Sequence, residues 1–296
     1  MSSDDSIPQN SPAVLFPADP ITGAEQVRPI TDPAAQPARD DRHEPVQEIL
    51  DDVHEFIELS APEIRIFDHP ALIRLKRLKQ LGLADLVFPT ATHVRREHSL
   101  GTLHVAHLML EHLDQNIRRV DGRSMSKEFP ADDRKLTRAE RVFTRLSALV
   151  HDMGHLPSGH TFEDELGLTE KHDHSARLRL ILDRDPQDWD ASGSDARPSW
   201  EGLPHDELPS SAFSLRELID EEFADVAAEA GLGLTASEIV ILIVGGDETT
   251  VEAANELDSR MSAANARNEA ALFRLGVCRD IVSNTVSADL IDYLHR

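Results

Sequence analysis

The sequence is poor in cysteine and has no long apolar run. Its single cysteine, Cys278, excludes the internal disulfide framework that holds small secreted domains together. No apolar stretch approaches the roughly 18 residues of a membrane-spanning helix. The acidic start, from Met1 to Asp5, lacks the basic residues of a secretory signal. We therefore expect a cytoplasmic protein with no membrane partner.

Positive charge is also scarce. The chain holds 30 Lys and Arg residues against 54 Asp and Glu residues, a formal net charge of −24. Such a surface repels phosphate backbones at long range, which argues against a sequence-specific nucleic-acid binder. The length of 296 residues is enough for one large domain or two small ones.

Aromatic residues make up only 4% of the chain, and few segments alternate apolar and polar residues with a period of two. Both features favour an all-α fold over a β-rich one. The first 45 residues contain eight prolines and no apolar periodicity. We therefore predict a disordered tail over residues 1–45 and a folded domain over residues 46–296.

Within that domain, apolar residues recur at helical spacing, weakly over 46–57 and clearly over longer segments. This spacing predicts helices at 71–81, from 98 to beyond 113, and at 137–152, 212–230, 236–243, 251–261 and 269–294. A polar stretch at 120–133 and a flexible insertion near 183–211, rich in Pro, Ser, Gly and Asp, interrupt the helices.

Histidines are concentrated in one part of the chain, since eleven of the fifteen lie between His69 and His174. Three of them, His104, His107 and His112, fit the outer face of a helix as ordinary polar residues. The remaining candidates for chemistry are His98, His151, Asp152, His155, His160 and His172.

The pair His151-Asp152 follows the apolar run from Leu146 to Val150 at the end of a predicted buried helix. Burying an imidazole beside a carboxylate costs several kcal/mol unless a metal or strong hydrogen bonds compensate. Metal ligation is the simplest compensation. Nitrogen and oxygen donors together suit Mn, Fe, Co, Ni or Zn, and Mg or Ca less well.

The segments 95–101 and 151–163 resemble those of the HD-domain metal-dependent phosphohydrolases, and within them the deoxynucleoside triphosphate triphosphohydrolases, which include bacterial dGTPases and the vertebrate SAM-and-HD-domain enzyme. The resemblance also covers residues 67–70, 74–82, 89–93, 172–173 and 289–296, in that order along the chain. It implies an HD-domain helical bundle built around a metal site.

Carried over by position, the resemblance implies a divalent transition metal, with Mg as a further option, held by His98, His151, Asp152 and Asp289. His160, oriented by Glu163, matches the general acid, while His155 and His172 match histidines that contact phosphate or relay protons. These residues are the candidate catalytic machinery.

The resemblance also implies a set of residues that bind the substrate. Arg95 matches an arginine on the phosphates, and Gln80 with Leu81 matches the positions that read the sugar. Tyr293 matches a tyrosine under the deoxyribose; an ordinary buried aromatic is the alternative. A cationic wall at the site would explain how an acidic protein attracts an anion, and six bases could form it: Arg74, Lys76, Arg77, Lys79, Arg95 and Arg96. The alternative is that these bases form a solvated helix face.

Three positions depart from the family pattern. Leu290 stands where a phosphate-contacting Lys or Arg usually follows the last metal-binding Asp, and Arg96 stands where an aromatic is usual. Family members continue well beyond the position of Arg296, which leaves open a fragment of a longer protein or a shortened member.

The implied reaction is cleavage of dNTPs at the α-phosphate, releasing a deoxynucleoside and triphosphate. Two alternatives stay open: an HD phosphohydrolase of nucleoside monophosphates or other phosphoesters, and a non-catalytic nucleotide-binding sensor. The expected partner is a deoxynucleotide, and a homo-oligomer is expected because oligomers are usual in the resembled family.

Overall fold

The computed structural model describes residues 41–120, 135–189, 204–245 and 268–296. Several predicted features lie outside them: the tail up to residue 40, the polar stretch from 121 to 133, the insertion over 190–203 and the helix at 251–261. Among the described residues, no helix is both long enough and apolar enough to cross a membrane.

The described chain is mostly helical, with one small sheet. Two strands come first, β1 (Pro45–Asp51) and β2 (Glu55–Ser60). The helices follow as α1 (Ala61–Phe67), α2 (Pro70–Ile73), α3 (Arg95–Val120), α4 (Arg138–Val150), α5 (Ser175–Leu182), α6 (Leu215–Glu222), α7 (Ala224–Ala230), α8 (Ala236–Val244), α9 (Asn268–Ser283) and α10 (Ala288–His295). Short 3-10 turns at Arg74–Arg77 and His151–Gly154 extend α2 and α4.

The segment 46–57 is a β-hairpin rather than the weak helix expected from its spacing. Strands β1 and β2 pair in antiparallel fashion, with Ile49 opposite Ile57 and Gln47 opposite Leu59. Ile57 and Leu59 are fully buried, so the apolar residues alternate towards the core with a period of two. The segment has so few apolar residues that they are compatible with either a helical or a strand period. Contact with the helices decides between the two structures.

The helix expected over 71–81 is also wrong beyond Ile73. The helix is followed by the 3-10 turn at Arg74–Arg77, after which the backbone is extended. There Lys79 forms an antiparallel β-bridge with Val94. The Gln80 N–H donates to His93 O at 3.1 Å, and the Arg95 N–H donates to Leu78 O at 2.8 Å. These non-local hydrogen bonds replace the helical ones and place residues 80–83 beside the start of α3.

Helices α3 and α4 are confirmed, and they form the centre of the fold. Their apolar stripes, which include Leu103, Leu110, Leu146 and Leu149, are buried together. A capping box of Thr137 and Glu140 begins α4. Helix α10 packs across α3, and α9 packs against α4 and α8.

Two of the longer predicted helices are each broken into two. The stretch 212–230 bends at Phe223, the common boundary of α6 and α7. The stretch 269–294 is interrupted after Ser283, and the Ser287 side chain caps the new helix by accepting from the Leu290 N–H. This second break matters for the site, because it directs the first turn of α10 towards the start of α3.

Candidate metal centre and adjoining cleft

Three helix ends bring the four predicted metal ligands together. His98 lies in the first turn of α3, His151 and Asp152 lie in the 3-10 turn after α4, and Asp289 lies in the first turn of α10. His98 Nε2 is 2.9 Å from Asp289 Oδ1, and His151 Nε2 is 3.8 Å from the same oxygen. Asp152 Oδ1 is 3.3 Å from His151 Nε2.

The donor atoms are arranged as a cation would require. His151 Nδ1 donates to Ala148 O at 2.8 Å, which leaves Nε2 unprotonated in the neutral ring. That Nε2 atom is buried and has no hydrogen-bond partner among the described residues. Its lone pair points towards two carboxylates, a contact that is repulsive unless a positive charge lies between them. The donor set therefore fits a divalent metal.

The carboxylates of this cluster are held in their ionised form. Burial alone would raise the pKa of Asp152, but its hydrogen bond with His155 and the positive charge of Arg95 hold that pKa well below its usual range. Burial opposes ionisation of Asp289 as well, and its hydrogen bond with His98 lowers its pKa. Ionised carboxylates are the form that binds a cation.

A second cluster of histidines lies beside the metal centre. The rings of His155 and His172 are stacked with their centroids 3.7 Å apart, and the His160 ring lies 4.8 Å from that of His155. His155 Nε2 is 3.2 Å from Asp152 Oδ1. Burial lowers the pKa of His155 to about 3, so this ring is neutral at pH 7.

Glu163 organises this cluster, but its partners differ from those expected. It accepts from His172 Nδ1 at 3.1 Å and from Arg177 at 3.0 Å. Ligand atoms of His160 and Glu163 lie within 4.8 Å of each other, as the predicted pairing requires, but the hydrogen bond of His160 Nδ1 is with Asp164, at 3.1 Å. The reason is geometric: Asp164 lies one turn after His160 on the exposed side, while Glu163 is turned inward to Arg177.

Close packing explains how the two clusters meet. A Cβ atom added to Gly154 would lie 1.9 Å from His172 O, so only glycine lets the segment around His172 reach the 3-10 turn. Arg74 holds that turn from the other side by donating to the carbonyls of Met153 and His155. The site is thus fixed by backbone contacts as well as by side chains.

An open cleft of about 750 Å³ adjoins both clusters. All four predicted substrate-binding residues line it: Arg95, Gln80, Leu81 and Tyr293. Gln80 Oε1 is buried and lacks a hydrogen-bond partner within the described part of the chain. Tyr293 is 42% exposed, so the alternative of an ordinary buried aromatic is wrong.

The expected cationic wall is smaller than six residues. Lys79 and Arg95 line the cleft. Arg74 is used on backbone carbonyls, and Arg96 lies over the Phe67 ring and bonds Asp68 at 3.0 Å. Lys76 and Arg77 are exposed and do not line the cleft. Two of the six bases, Arg74 and Arg96, therefore stabilise the fold, and two others, Lys76 and Arg77, face solvent.

Sequence reasoning missed Asp292 and its partners. Asp292 Oδ2 is 2.6 Å from His98 Nδ1, on the side of the ring that faces away from Asp289. His54, from the hairpin, and Arg296 contact the same carboxylate. The one local signal was spacing, because Asp292 falls one helical turn after Asp289.

The comparisons with known proteins agree with this geometry. Residues 95–196 match the family model of the HD domain. An uncharacterised protein of Methanocaldococcus jannaschii is 36% identical over 39% of this chain and 20% of its own length. Deoxynucleoside triphosphate triphosphohydrolase SAMHD1 is similar too: the Gallus gallus protein is 33% identical over 42% of this chain and 19% of its own, and the Homo sapiens protein 32% over 39% and 16%.

The chain spans between 16% and 29% of the length of these and similar curated relatives. Among solved structures, a hypothetical protein from Aquifex aeolicus superposes with a TM-score of 0.43 at 22% identity, covering 84% of this chain and 45% of that one. The HD-domain match contains His98, His151 and Asp152, three of the four candidate metal ligands, and the fourth, Asp289, lies outside it. Residues 95–196 of this chain therefore match the HD domain, and the remaining residues lie outside that match.

Proposed function

We propose that this chain is a metal-dependent phosphohydrolase that cleaves deoxynucleoside triphosphates at the α-phosphate, giving a deoxynucleoside and triphosphate. One observation carries the proposal: two of the candidate metal ligands, Asp152 and Asp289, line the same cleft as His160, Arg95 and Gln80. Arg95 suits the phosphates, His160 the leaving oxygen and Gln80 the sugar.

His98, His151, Asp152 and Asp289 would hold the metal. A divalent metal bound there supplies polarisation of phosphorus and a lowered pKa for the attacking water. Arg95 is the permanent positive charge that faces the phosphates. It is oriented by Asp152, whose Oδ2 atom accepts from the Arg95 guanidinium at 2.9 Å.

His160 serves as the proton donor to the leaving 5′-oxygen. Its side chain is 58% exposed and lines the cleft, and Asp164 engages Nδ1. The Nε2 atom is therefore the one available to the substrate. His155, neutral and buried behind it, presents a fixed ring rather than a second charge.

The sugar end of the substrate lies against Gln80, Leu81 and Tyr293. The buried Gln80 Oε1 atom can accept from a sugar hydroxyl, which would supply the hydrogen bond that no described residue gives it. The half-exposed Tyr293 ring offers an apolar face of the kind that packs under deoxyribose.

Product analysis tests the proposal. Purified chain loaded in turn with Mn²⁺, Fe²⁺, Co²⁺, Ni²⁺ and Zn²⁺ is incubated with each of the four dNTPs, and nucleoside and triphosphate are quantified by ion-exchange chromatography. The two products are expected in equal amounts. Nucleotide binding without turnover under every metal would contradict the proposal and favour a sensor.

Leu290 favours a second candidate, a phosphohydrolase of nucleoside monophosphates or other phosphoesters. It is 37% exposed in the cleft, at the position where the resembled family places a cation on the phosphates. A substrate with a single phosphate needs fewer cations. Release of inorganic phosphate from a dNMP, with no triphosphate from dNTPs, would decide for this candidate.

A further inference from the structure

Asp292 is fully buried and has three hydrogen-bonding partners. Its carboxylate is 2.6 Å from His98 Nδ1, 2.5 Å from His54 Nε2 and 2.7 Å from Arg296 Nε. A buried carboxylate is costly unless it is fully paired. The chain places this costly group directly behind a predicted metal ligand.

The contact sets which nitrogen of His98 carries the proton. An ionised carboxylate can only accept, so His98 Nδ1 must donate to Asp292. When a metal takes the place of the proton on Nε2, the atom 2.9 Å from Asp289 Oδ1, the proton on Nδ1 remains bonded to Asp292. Asp289 and Asp292, on successive turns of α10, thus hold opposite ends of one imidazole.

The tip of the β1–β2 hairpin is tied into the same network. Asp51 Oδ1 accepts from the N–H groups of Val53 and His54, both at 3.0 Å, and closes the turn. Asp51 Oδ2 accepts from Arg296 at 2.9 Å, and His54 reaches Asp292. The hairpin therefore contacts the ligand-bearing helix through two separate bonds, although it lies outside the residues matched to the HD domain.

We propose that Asp292 is a positioning residue for the metal ligand His98, and that the hairpin, through His54, completes this support. Carboxylates behind metal-binding histidines fix the ring and raise its basicity, and changing them costs about 10–100-fold in metal affinity. The inference rests on the metal centre of the proposed function but not on its substrate.

The test is Mn²⁺ titration by calorimetry of the whole chain and its Asp292→Asn variant. The dissociation constant of the variant is expected to rise about 10–100-fold. Glu140→Gln is the matched control, because Glu140 is also buried and is ion-paired with Arg274. It lies in the first turn of α4, at the end of that helix remote from His151 and Asp152. This control is expected to lower the melting temperature and to leave the dissociation constant unchanged.

A second readout follows the ring itself. In Zn²⁺-loaded protein labelled with ¹⁵N-histidine, His98 is expected to show a proton on Nδ1, and Asp292→Asn is expected to shift that signal upfield. His54→Leu keeps the bond between Asp292 and His98, so we expect it to weaken Mn²⁺ binding by less than Asp292→Asn does. It also serves as the working variant if Asp292→Asn does not fold.

Three results would overturn the inference: Asp292→Asn binding Mn²⁺ as the unchanged chain does, His54→Leu doing the same, or the unchanged chain binding no divalent metal. If the unchanged chain binds Mn²⁺ but hydrolyses no dNTP, the proposed function fails and this inference stands.

Discussion

His151 carries the atom that best reveals the metal centre at the scale of single residues. Leaving a buried nitrogen without a hydrogen bond costs about 1–3 kcal/mol, and within the described ranges His151 Nε2 is left so. Asp152 Oδ1 lies 3.3 Å and Asp289 Oδ1 3.8 Å from that atom, and both residues line the cleft. A bound cation removes this cost and the repulsion between lone pairs together.

Asp289→Asn is expected to abolish hydrolysis and to weaken metal binding by more than the 10–100-fold typical of groups behind the ligands. Its stability without metal should change little, because the Asp289 side chain is 42% exposed. Metal content by mass spectrometry and the melting temperature measure the two effects. Glu229→Gln, an exposed carboxylate paired with Arg138, is the control and should match the unchanged chain.

Leu290→Lys is expected to lower KM for dNTPs several-fold, with kcat little changed. The new ammonium would face the cleft near Arg95 and attract a triphosphate more than a monophosphate. Steady-state kinetics with dNTP and dNMP substrates measure the difference. An equal effect on both substrates would show that position 290 does not face the terminal phosphates.

Among the secondary-structure elements, the short helix α2 depends on one histidine. His69 caps it: Nδ1 accepts from the Ala71 N–H at 3.1 Å, so the other nitrogen, Nε2, donates to Phe213 O at 3.1 Å. Burial lowers the pKa of His69 to about 4, against a smaller opposing effect of the Phe213 carbonyl. The neutral ring is therefore part of the folded state.

Acid should weaken this element. Because the folded pKa lies below the unfolded value of 6.5, the contribution of His69 is present above pH 6.5 and is lost as the pH falls towards 4. The loss amounts to roughly 3 kcal/mol. His69→Asn keeps a helix-capping side chain that does not titrate. In urea titrations, the difference in unfolding free energy between the unchanged chain and this less stable variant should therefore become smaller from pH 7 to pH 4. Parallel curves would contradict this assignment.

Helix α3 is held close to α10 by a glycine. A Cβ atom on Gly101 would lie 1.9 Å from the buried Asp292 Oδ1 atom, so Gly101→Ala is expected to destabilise the fold and weaken metal binding. Gly276→Ala in α9 is the control, because no described atom beyond the neighbouring residues and the backbone of its own helix lies within 4 Å of its Cβ position. There the better helix former should stabilise by up to about 1 kcal/mol. Thermal unfolding of both variants measures the contrast.

Helices with a regular apolar period were predictable from sequence, including the short α8, whereas the hairpin and the segment after Ile73 were not. The apolar stripes of α3 and α4 persist over several turns, so local spacing sufficed. The hairpin and the residues after Ile73 take their form from non-local partners, such as the backbone pairing of Gln80 with His93.

The candidate site was predictable as far as motifs reach. The resemblance supplied the ligands and the cleft residues, and the fold brings those residues together. The resemblance did not predict the contact between His54 and Asp292, which are 238 residues apart in the sequence. It also did not predict the bond between His160 and Asp164. Those contacts depend on packing that no local pattern encodes.

For the whole molecule, the charge balance and the site are compatible. A net charge of −24 disfavours long nucleic-acid polymers as partners, whereas the cleft still presents two cations, Lys79 and Arg95, each paired with one carboxylate, of Asp85 and Asp152. Part of the negative charge is internal, since Asp152 and Asp292 are buried and paired. Bulk charge therefore says little about what the cleft binds.

Anomalous diffraction from crystals grown with Mn²⁺ would show whether His98, His151, Asp152 and Asp289 hold a metal, because it locates the ion among named side chains. We expect a single strong peak bonded to these four residues, beside the cleft lined by His160 and Arg95. A peak elsewhere, or crystals that bind Mn²⁺ without these four residues, would contradict it.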